Sequence, residues 1–306
     1  IEFSNDLIEL TKTLEKISPE DAQGYFAFLA DIYKRYIIAK EAFITKSFRG
    51  FWDFYNPKSL WAGIRLRTFN DAYTSISKFV KDERLRKSLA FQTLYIGVSP
   101  YQGPSLYTII PMIELLYGVY FIKGGMYTLA TSLERLFKEL GGKIFYNTPV
   151  DEIFIENKVA KGIRLGEKKI LADAIVCSAD FPYAMQELIP DESKRGKYTN
   201  QKIANFDYSC SCFLLYLGLD KKYPEEHLHS IYFAEDFKKN VDDLFEIGEL
   251  PEDPSFYLYR PTLMDETLAP EGHEGIYILV PVPELSKYED WSEKTIQKYR
   301  QKIVKL

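Results

Sequence analysis

The chain has 306 residues, of which 46% are apolar and 27% charged, with 39 Lys and Arg against 44 Asp and Glu. A chain this apolar can bury enough surface to offset its ordering entropy, which excludes a disordered polymer. The net charge of −5 and the lack of a Lys/Arg-rich block argue against nucleic acid as the main partner. Aromatic residues make up 15% of the chain, and their rings serve either an ordinary core or a tunnel for a long apolar ligand.

The cysteines do not form a disulfide or metal-ligand pattern. Cys177, Cys210 and Cys212 are an odd set without CxxC spacing, so no zinc or other metal site is predicted, and a reducing, cytoplasmic compartment is favoured. The chain starts without the basic and apolar regions of a signal peptide. Its longest apolar run, Tyr107 to Ile122, is interrupted by polar and turn residues and is shorter than the ~20 residues of a spanning helix.

The first 120 residues are predicted to be mostly helical. Leu7 to Ile17 is amphipathic, and an N-cap serine followed by proline marks the start of a second helix, which keeps helical spacing from Ser18 to Ala39. After an irregular stretch, further helices are predicted at Ser59 to Phe69 and Ala72 to Leu94. These helices are expected to form a cap or lid.

The pattern changes at a pair of glycines, Gly124 and Gly125. They precede a helix with a leucine stripe, which is expected to end at another glycine pair. Short strands are predicted after it, the middle three forming a meander. The strands are Lys143 to Tyr146, Val150 to Glu156, Val159 to Leu165, Lys168 to Leu171 and Ala174 to Cys177. This order is typical of part of a dinucleotide-binding α/β domain with an inserted β-meander.

The remainder after Pro190 is rich in alternating apolar and polar residues. Four strands are predicted, which together suggest one antiparallel sheet. They are Ser211 to Leu219, His229 to Ala234, Ser255 to Pro261 and Gly275 to Pro283. A last helix is predicted from Trp291 to Val304.

Three stretches of the sequence carry a family resemblance. Gly124 to Asp180, GGMYTLATSLERLFKELGGKIFYNTPVDEIFIENKVAKGIRLGEKKILADAIVCSAD, resembles the glutathione-reductase-like flavoproteins, which include amine oxidases and carotenoid desaturases. Pro100 to Met126 and Asp253 to Pro283 are similar to the bacterial phytoene desaturase family, which also covers dehydrosqualene desaturases. The resemblance implies a mixed α/β and α+β fold. It has a partial FAD-binding domain with a β-meander at residues 124–182, and a substrate domain of helices at 1–123 and an antiparallel sheet at 183–306.

One family feature does not occur in this sequence. Family members open with a βαβ unit that bears a Gly-rich dinucleotide fingerprint, and the sequence contains no GxGxxG. That turn brings the pyrophosphate to a helix N-terminus. The chain is therefore expected to be an internal fragment whose N- and C-terminal segments belong to the same protein, or else a chain completed by a partner. The fragment alone is expected to be inactive.

The resemblance implies FAD-dependent desaturation of a long polyene, phytoene or dehydrosqualene, in carotenoid biosynthesis. A hydride would leave an allylic carbon for the flavin N5 and a proton would leave its neighbour, while the protein aligns the substrate and excludes water. Such substrates reside in the bilayer, so a peripheral membrane protein is expected. Its membrane-facing mouth is expected at Tyr107 to Ile122 and Ser59 to Leu94. The alternatives are a flavin-free isoprenoid-binding module and a related flavin oxidoreductase of isomerase, saturase or amine oxidase type.

Three residues are candidates for binding the cofactor, by matching positions in the family. Val150 occupies a position where this class holds adenine with a backbone amide and carbonyl, although a plain core valine fits equally well. Gly124 and Gly125 let the backbone approach the flavin or the substrate closely, or else form only the turn before a helix.

Two carboxylates are candidates for proton transfer. Asp53 lies between aromatic residues in FWDF, at a position resembling an acidic residue of the desaturase substrate region, and Glu114 interrupts the longest apolar run. A carboxylate in apolar surroundings has a raised pKa and exchanges protons nearer neutrality. The structural alternative for each is an ion pair with an arginine such as Arg49 or Arg65. Tyrosines of the predicted sheet are expected to enclose the polyene: Tyr216, Tyr232, Tyr257 and Tyr277.

Overall fold

The computed structural model of the chain describes residues 1–66 and 70–306. Its contacts divide it into two compact units, one made of Ile1–Met126 with Ser209–Leu306 and the other of Tyr127–Tyr208. The sequence places the boundaries after residues 123 and 182, whereas the contacts place them after residues 126 and 208. The N-terminal helices and the C-terminal sheet therefore belong to one folded unit.

The first two helices begin at the capping residues seen in the sequence. Helix α1 spans Leu7–Ile17 and α2 spans Pro19–Ala39, continued by a π-helical turn at Lys40–Ile44. The Ser18 hydroxyl accepts a hydrogen bond from a backbone N–H in the first turn of α2. This satisfies one of the donors that a helix start leaves unpaired.

The other helices of the N-terminal part are shorter. They are α3 at Phe51–Phe54, α4 at Pro57–Arg65, α5 at Ala72–Ser77, α6 at Glu83–Ala90 and α7 at Ile109–Tyr117, with 3-10 turns at Phe91–Ile96 and Ser105–Thr108. The helix predicted at 59–69 corresponds to α4, and its residues 67–69 lie outside the described part. The single helix predicted at 72–94 is wrong. The buried carboxylate of Asp21 accepts from the backbone N–H groups of Lys81 and Asp82, and this contact interrupts the helix.

The second unit holds the predicted meander. Helix α8 spans Met126–Glu139, and strands β1 at Glu152–Glu156, β2 at Val159–Leu165 and β3 at Lys168–Leu171 pair antiparallel in that order. Short helices follow, α9 at Phe181–Tyr183 with a π-helical turn at Ala184–Leu188, a 3-10 turn at Glu192–Lys194, and α10 at Asn200–Ala204. The buried centre of this unit is small: Ile153, Ala184 and Leu188.

The strands predicted at 143–146 and 174–177 do not form in the described chain. Residues of both segments have no ladder partner in the sheets of this unit, and Val176 is 95% exposed. A strand forms only when neighbouring strands pair with its backbone. Apolar runs of this kind are typical of strands in a parallel sheet that is covered on both faces. An open apolar groove of about 580 Å³ runs between helix α8 and the first of these segments. Four of its lining residues are Leu133, Phe137, Leu140 and Tyr146.

The C-terminal part of the first unit is a four-stranded antiparallel sheet. Its strands are β4 at Ser211–Leu219, β5 at His229–Tyr232, β6 at Phe256–Tyr259 and β7 at Glu274–Val282, in the order β4-β7-β6-β5. Helix α11 at Phe237–Asp242 with a π-helical turn at Asp243–Ile247, and 3-10 turns at Pro261–Leu263 and Glu266–Leu268, connect them. The last helix, α12 at Glu293–Lys305, buries Tyr299 and Ile303 against one face of the sheet.

A buried ion pair braces the connection between β6 and β7. Arg260 and Glu274 have side chains that are only 2% and 3% exposed, and the Arg260 Nε donates to the Glu274 carboxylate at 2.8 Å. The Tyr223 backbone N–H and the Thr262 hydroxyl donate to the same carboxylate. Burial opposes ionisation of Glu274, but the guanidinium and these donors hold the pKa of this carboxyl below its usual value.

Candidate functional site

The sheet has one face that is not covered by helix α12. Side chains alternate along a strand, so Leu215 of β4 and Ile278 of β7 enter the core with α12, while their neighbours Tyr216 and Tyr277 point to the other side. We call the second side the tyrosine face. It is formed by Leu214, Tyr216, His229, Tyr257, Tyr259 and Tyr277.

Four rings form a row across the tyrosine face. The strand register places Tyr216 opposite Tyr277, Tyr277 opposite Tyr259, and Tyr259 opposite His229. Ring centroids lie 5.1 Å apart in the first of these pairs and 4.9 Å apart in the last. With strands about 4.8 Å apart, such a row is about 14 Å long, which provides an extended aromatic surface for a long ligand.

One of the expected tyrosines lies elsewhere. Tyr232 is directly opposite Phe256, on the side of the sheet that faces α12, and the two rings stack at 4.7 Å. Its expected place beside Tyr216, Tyr257 and Tyr277 is therefore wrong. Tyr259 and His229 were not among the predicted residues, and alternation along β6 together with the strand register identifies them.

The tyrosine face carries a polar pair. The Nδ1 of His229 and the hydroxyl of Tyr257 lie 2.6 Å apart. Burial lowers the pKa of His229, since desolvation disfavours the charged imidazolium. Burial also raises the pKa of Tyr257, as do the neighbouring Tyr95 and Glu114. Both groups are therefore neutral near pH 7.

Glu114 lies in the partly buried surroundings that the sequence predicted. It projects from helix α7, and burial raises its pKa, while a hydrogen bond from Gln92 partly opposes that shift. Its hydrogen-bond partner is thus an amide rather than an arginine. The side-chain oxygen of Gln92, Oε1, is buried and has no hydrogen-bond partner among the described residues. A catalytic role for Glu114 stays a prediction.

Tyr95 connects Glu114 to the tyrosine face. Burial and the negative charge of Glu114 raise the pKa of Tyr95 to about 12, and both residues influence Tyr257. The Gln92–Glu114 hydrogen bond joins the turn at 91–96, which carries Tyr95, to helix α7.

Asp53 lies at a different kind of position from the one expected. Its side chain is exposed, and its carboxylate accepts from the backbone N–H groups of Arg49 and Gly50 at 2.9 and 3.0 Å. This caps the start of helix α3. The expectation of a buried carboxylate is wrong because the rings of α3 point outward, leaving the turn open to solvent.

Gly124 and Gly125 form a turn with left-handed backbone. Their φ angles are +84° and +86°, a conformation that costs other residues energy. The Asp265 carboxylate accepts a hydrogen bond of 2.6 Å from the Gly124 N–H, and the Gly125 N–H donates to the carbonyl of Ile122. Among the described residues, a Cβ on Gly125 would have one heavy atom within 4 Å, a methyl of Leu268 at 3.3 Å.

Val150 lies in the second unit, just before strand β1, and is half-buried. No hydrogen bond to its backbone N–H or C=O is found among the described residues, whereas the next residue, Asp151, donates to Arg164. Val150 and the glycine turn, each taken by itself, are compatible with contacts to FAD.

An exposed aromatic surface covers the segment from 44 to 64. Trp52 is 78% exposed and Phe51 63%. The residues with exposed large apolar side chains in this segment are Ile44, Phe48, Phe51, Trp52, Phe54, Tyr55, Leu60, Trp61 and Ile64. Within the predicted mouth segment 59–94, the described residues expose large apolar side chains only at its start, because α5 and α6 bury Ile76 and Leu85 in the core.

The end of the other predicted mouth segment is also exposed. Leu116, Tyr117, Val119 and Tyr120 at the end of α7 present large apolar side chains to solvent. None of the helices described is both long and apolar enough to cross a membrane.

Comparisons with known proteins place these features in a family context. The family model of flavin-containing amine oxidoreductases matches residues 50–305. The chain is 47% identical over 297 residues to a 4,4'-diapophytoene desaturase (4,4'-diaponeurosporene-forming) from Staphylococcus haemolyticus, covering 96% of this chain and 59% of that protein. It is 44% identical over 309 residues to the enzyme of the same name from Staphylococcus aureus strain Newman, covering 99% and 61%. The chain therefore spans about three fifths of the length of these relatives.

A solved structure shows the same fold at lower similarity. The crystal structure of an oxidoreductase from Methanosarcina mazei matches with a TM-score of 0.52 and 16% identity, covering 76% of this chain and 50% of that one. With the family match, this confirms the predicted fold class, a mixed helical and antiparallel-sheet fold of the flavin-dependent oxidoreductase type.

Proposed function

Because the chain belongs to the family of flavin-containing amine oxidoreductases, we propose that the complete protein is an FAD-dependent desaturase of a long polyene precursor of the 4,4'-diapophytoene type. The observation that carries this proposal is 47% and 44% identity to two desaturases of that substrate across 96% and 99% of this chain. Desaturation removes two hydrogens from adjacent carbons, one as a hydride and one as a proton. When bound, FAD supplies the two-electron acceptor that amino-acid side chains lack.

The tyrosine face supports the choice of a hydrocarbon substrate. A polyene offers neither charges nor hydrogen-bonding groups, so apolar contact and shape have to hold it. The row from Tyr216 to His229 supplies ring surface on one face of the sheet. We propose that the polyene lies against this face, which fixes the reacting carbons and excludes water from them.

We propose Glu114 as the group that exchanges the proton. Its pKa is raised by burial, so its protonation equilibrium lies nearer neutrality than that of an exposed carboxyl. Gln92 holds one carboxylate oxygen by a 2.8 Å hydrogen bond and so orients the carboxyl. Asp53, which is exposed and caps a helix, remains a second candidate with weaker support.

We propose Val150 as a residue that contacts the adenine of FAD and, taken by itself, the Gly124–Gly125 turn as one that contacts the flavin ring. The sequence has no GxGxxG turn for the pyrophosphate. We propose that segments of the same protein outside this sequence supply that turn, together with strands that pair with residues 143–146 and 174–177. Slower amide exchange of these two segments in the complete protein than in the 306-residue chain would support this proposal, and equal exchange would refute it.

We also propose that the complete protein binds the membrane surface peripherally and works in the cytoplasm. The exposed rings around Trp52 and Trp61 support this, because aromatic side chains favour the interface between lipid and water. The basic residues Lys46, Arg49 and Lys58 lie in the same segment. Flotation with lipid vesicles is the test, and W52A/W61A should lose most of the bound fraction. Equal flotation of this variant would refute the proposed surface.

The desaturase activity is tested in cells that make the precursor. The complete open reading frame is expressed with either 4,4'-diapophytoene or phytoene, and the polyenes are identified by absorbance and mass. Consumption of 4,4'-diapophytoene with a longer conjugated product is expected. If purified protein carries FAD and neither precursor is consumed, the desaturase proposal is wrong.

A further inference from the structure

The Gly124–Gly125 turn is held from a distant part of the chain. Asp265 lies 141 residues away in sequence, and its carboxylate accepts from the Gly124 N–H at 2.6 Å. The carboxylate is buried, as Asp265 is only 6% exposed. This bond links the end of the N-terminal helical part to the loop between β6 and β7, within one folded unit.

Both carboxylate oxygens of Asp265 are in use. One accepts from the backbone N–H and the hydroxyl of Thr267, at 3.0 and 2.6 Å, while the other faces Gly124. These donors lower the pKa of Asp265, Thr267 contributing most. The side chain is therefore an anion whose two oxygens are both held in place. A donor group in place of either oxygen would face the N–H or O–H group from which that oxygen now accepts.

The loop that carries Asp265 is itself rigidly held. The buried pair of Arg260 and Glu274 lies at its two ends, and Thr262 donates to the same glutamate. Leu268, three residues beyond Asp265, places a methyl 3.3 Å from the position that a Cβ on Gly125 would take. The loop thus holds Gly124 by a charged hydrogen bond and lies beside Gly125.

The N–H groups of both glycines are consumed inside the protein. Gly124 donates to Asp265, and Gly125 donates to Ile122 at 2.8 Å. A ligand at this turn would therefore meet the flat face of the backbone rather than its donors. Such a face suits the plane of an aromatic ring, provided that the turn keeps its left-handed angles.

We propose that Asp265 is a positioning residue that holds the Gly124–Gly125 turn in the shape required for contact with the flavin ring. The inference rests on the proposed placement of FAD at this turn. The hydrogen bond from Gly124 to Asp265, which holds the turn, does not depend on the cofactor. Asp265 touches neither substrate nor flavin, and acts only through Gly124.

The test uses the complete protein with D265A, D265N and a matched control, T267V. The control removes the hydroxyl that binds one oxygen of Asp265 but leaves the bond to Gly124. Asparagine keeps the shape of aspartate but has only one oxygen, so it cannot accept from both Gly124 and Thr267. Three properties are measured: amide exchange of residues 123–126, the absorption spectrum of bound flavin, and kcat and KM for the polyene.

In D265A we expect amide exchange at Gly124 to be at least about tenfold faster, since the charge-assisted hydrogen bond is lost. In D265N we expect a smaller acceleration, since one neutral amide oxygen remains and accepts from either Gly124 or Thr267. We also expect a shifted flavin spectrum, and a fall in kcat that exceeds the change in KM. T267V should match the wild type in all three. D265N serves as a second variant in case D265A fails to fold, because asparagine preserves the volume and packing of the side chain.

Two results would overturn the inference. If exchange at Gly124 is unchanged, Asp265 does not hold the turn. If exchange is faster but the flavin spectrum and kcat stay at wild-type values, the contact is structural only. Failure of the proposed function looks different, because the wild-type protein would then bind no flavin or consume no polyene, while the exchange measurement would still report on the turn.

Discussion

The side-chain amide of Gln92 donates a 2.8 Å hydrogen bond to the carboxylate of Glu114. A neutral partner of this kind orients a carboxyl without supplying the positive charge of an arginine. Burial therefore dominates, and the pKa of Glu114 lies above its ordinary value of 4.5. The carboxyl is held in place while remaining able to exchange a proton.

Replacing Glu114 by glutamine should change how stability depends on pH. A carboxyl whose pKa is raised in the fold contributes stability below its unfolded pKa and loses that contribution as pH rises through the folded value. The wild-type protein should therefore lose free energy of unfolding relative to E114Q as pH rises above 4.5. Urea unfolding of both proteins between about pH 4 and pH 8 measures the difference.

The control for that series is E167Q, which removes a charge from an exposed turn. Its free-energy difference from the wild type should vary much less with pH. A difference between wild type and E114Q that stays constant over the series would contradict the raised pKa. E114Q should also slow desaturation by roughly 10²-fold or more if Glu114 carries the proton.

Tyr277 should contribute through its ring rather than its hydroxyl. It lies in the middle of the row, 5.1 Å from Tyr216 and 6.3 Å from Tyr257 between ring centroids. Tyr277→Ala should raise KM for the polyene by about tenfold, because a ring's apolar contact is lost. Tyr277→Phe should stay near the wild type, as should Tyr120→Ala, which removes a ring that is 86% exposed and outside this face. Equal losses for Y277F and Y277A would assign the effect to the hydroxyl.

Gly125→Ala should destabilise the protein by roughly 1–2 kcal/mol, because its φ of +86° disfavours any residue with a Cβ. The new methyl would also press on Leu268. Gly275→Ala is the matched control, since this glycine lacks a positive φ and a Cβ there would meet nothing within 4 Å. Thermal unfolding of both variants checks the expectation, and equal midpoints would contradict it.

Breaking the buried ion pair should be among the most costly single changes. Arg260→Met leaves the Glu274 carboxylate buried without its cation, which costs about 3–5 kcal/mol. The double variant R260M/E274Q should recover part of this loss, because the remaining side chain is neutral. Chemical denaturation of the two variants gives the comparison. No recovery in the double variant would show that packing of the arginine stem, rather than charge, dominates.

Much of the secondary structure follows from local signals in the sequence. Ser18 and Pro19 fix the start of helix α2, and alternation fixes the strands β4 and β7. The predictions fail where contacts between residues distant in the sequence determine the structure. Asp21 binds two backbone N–H groups some 60 residues away and divides a predicted helix, and no local pattern shows this contact.

The candidate site was only partly accessible to the same reasoning. Glu114 is recognisable as a carboxyl in an apolar run, but its partner Gln92 lies on another element. Tyr232 was misplaced because a ring's face depends on strand register, which a single strand does not specify. The strands expected at 143–146 and 174–177 did not form, since backbone pairing needs neighbours as well as apolar side chains.

The ring row across β4, β7, β6 and β5 also limits which length changes the gene can tolerate. Each ring reaches the tyrosine face because the register places its residue directly opposite its partner on the next strand. Inserting or deleting one codon within a strand would turn every later side chain of that strand over. Natural variation in length should therefore be confined to connections such as residues 220–228, while the strands keep an unchanged number of residues.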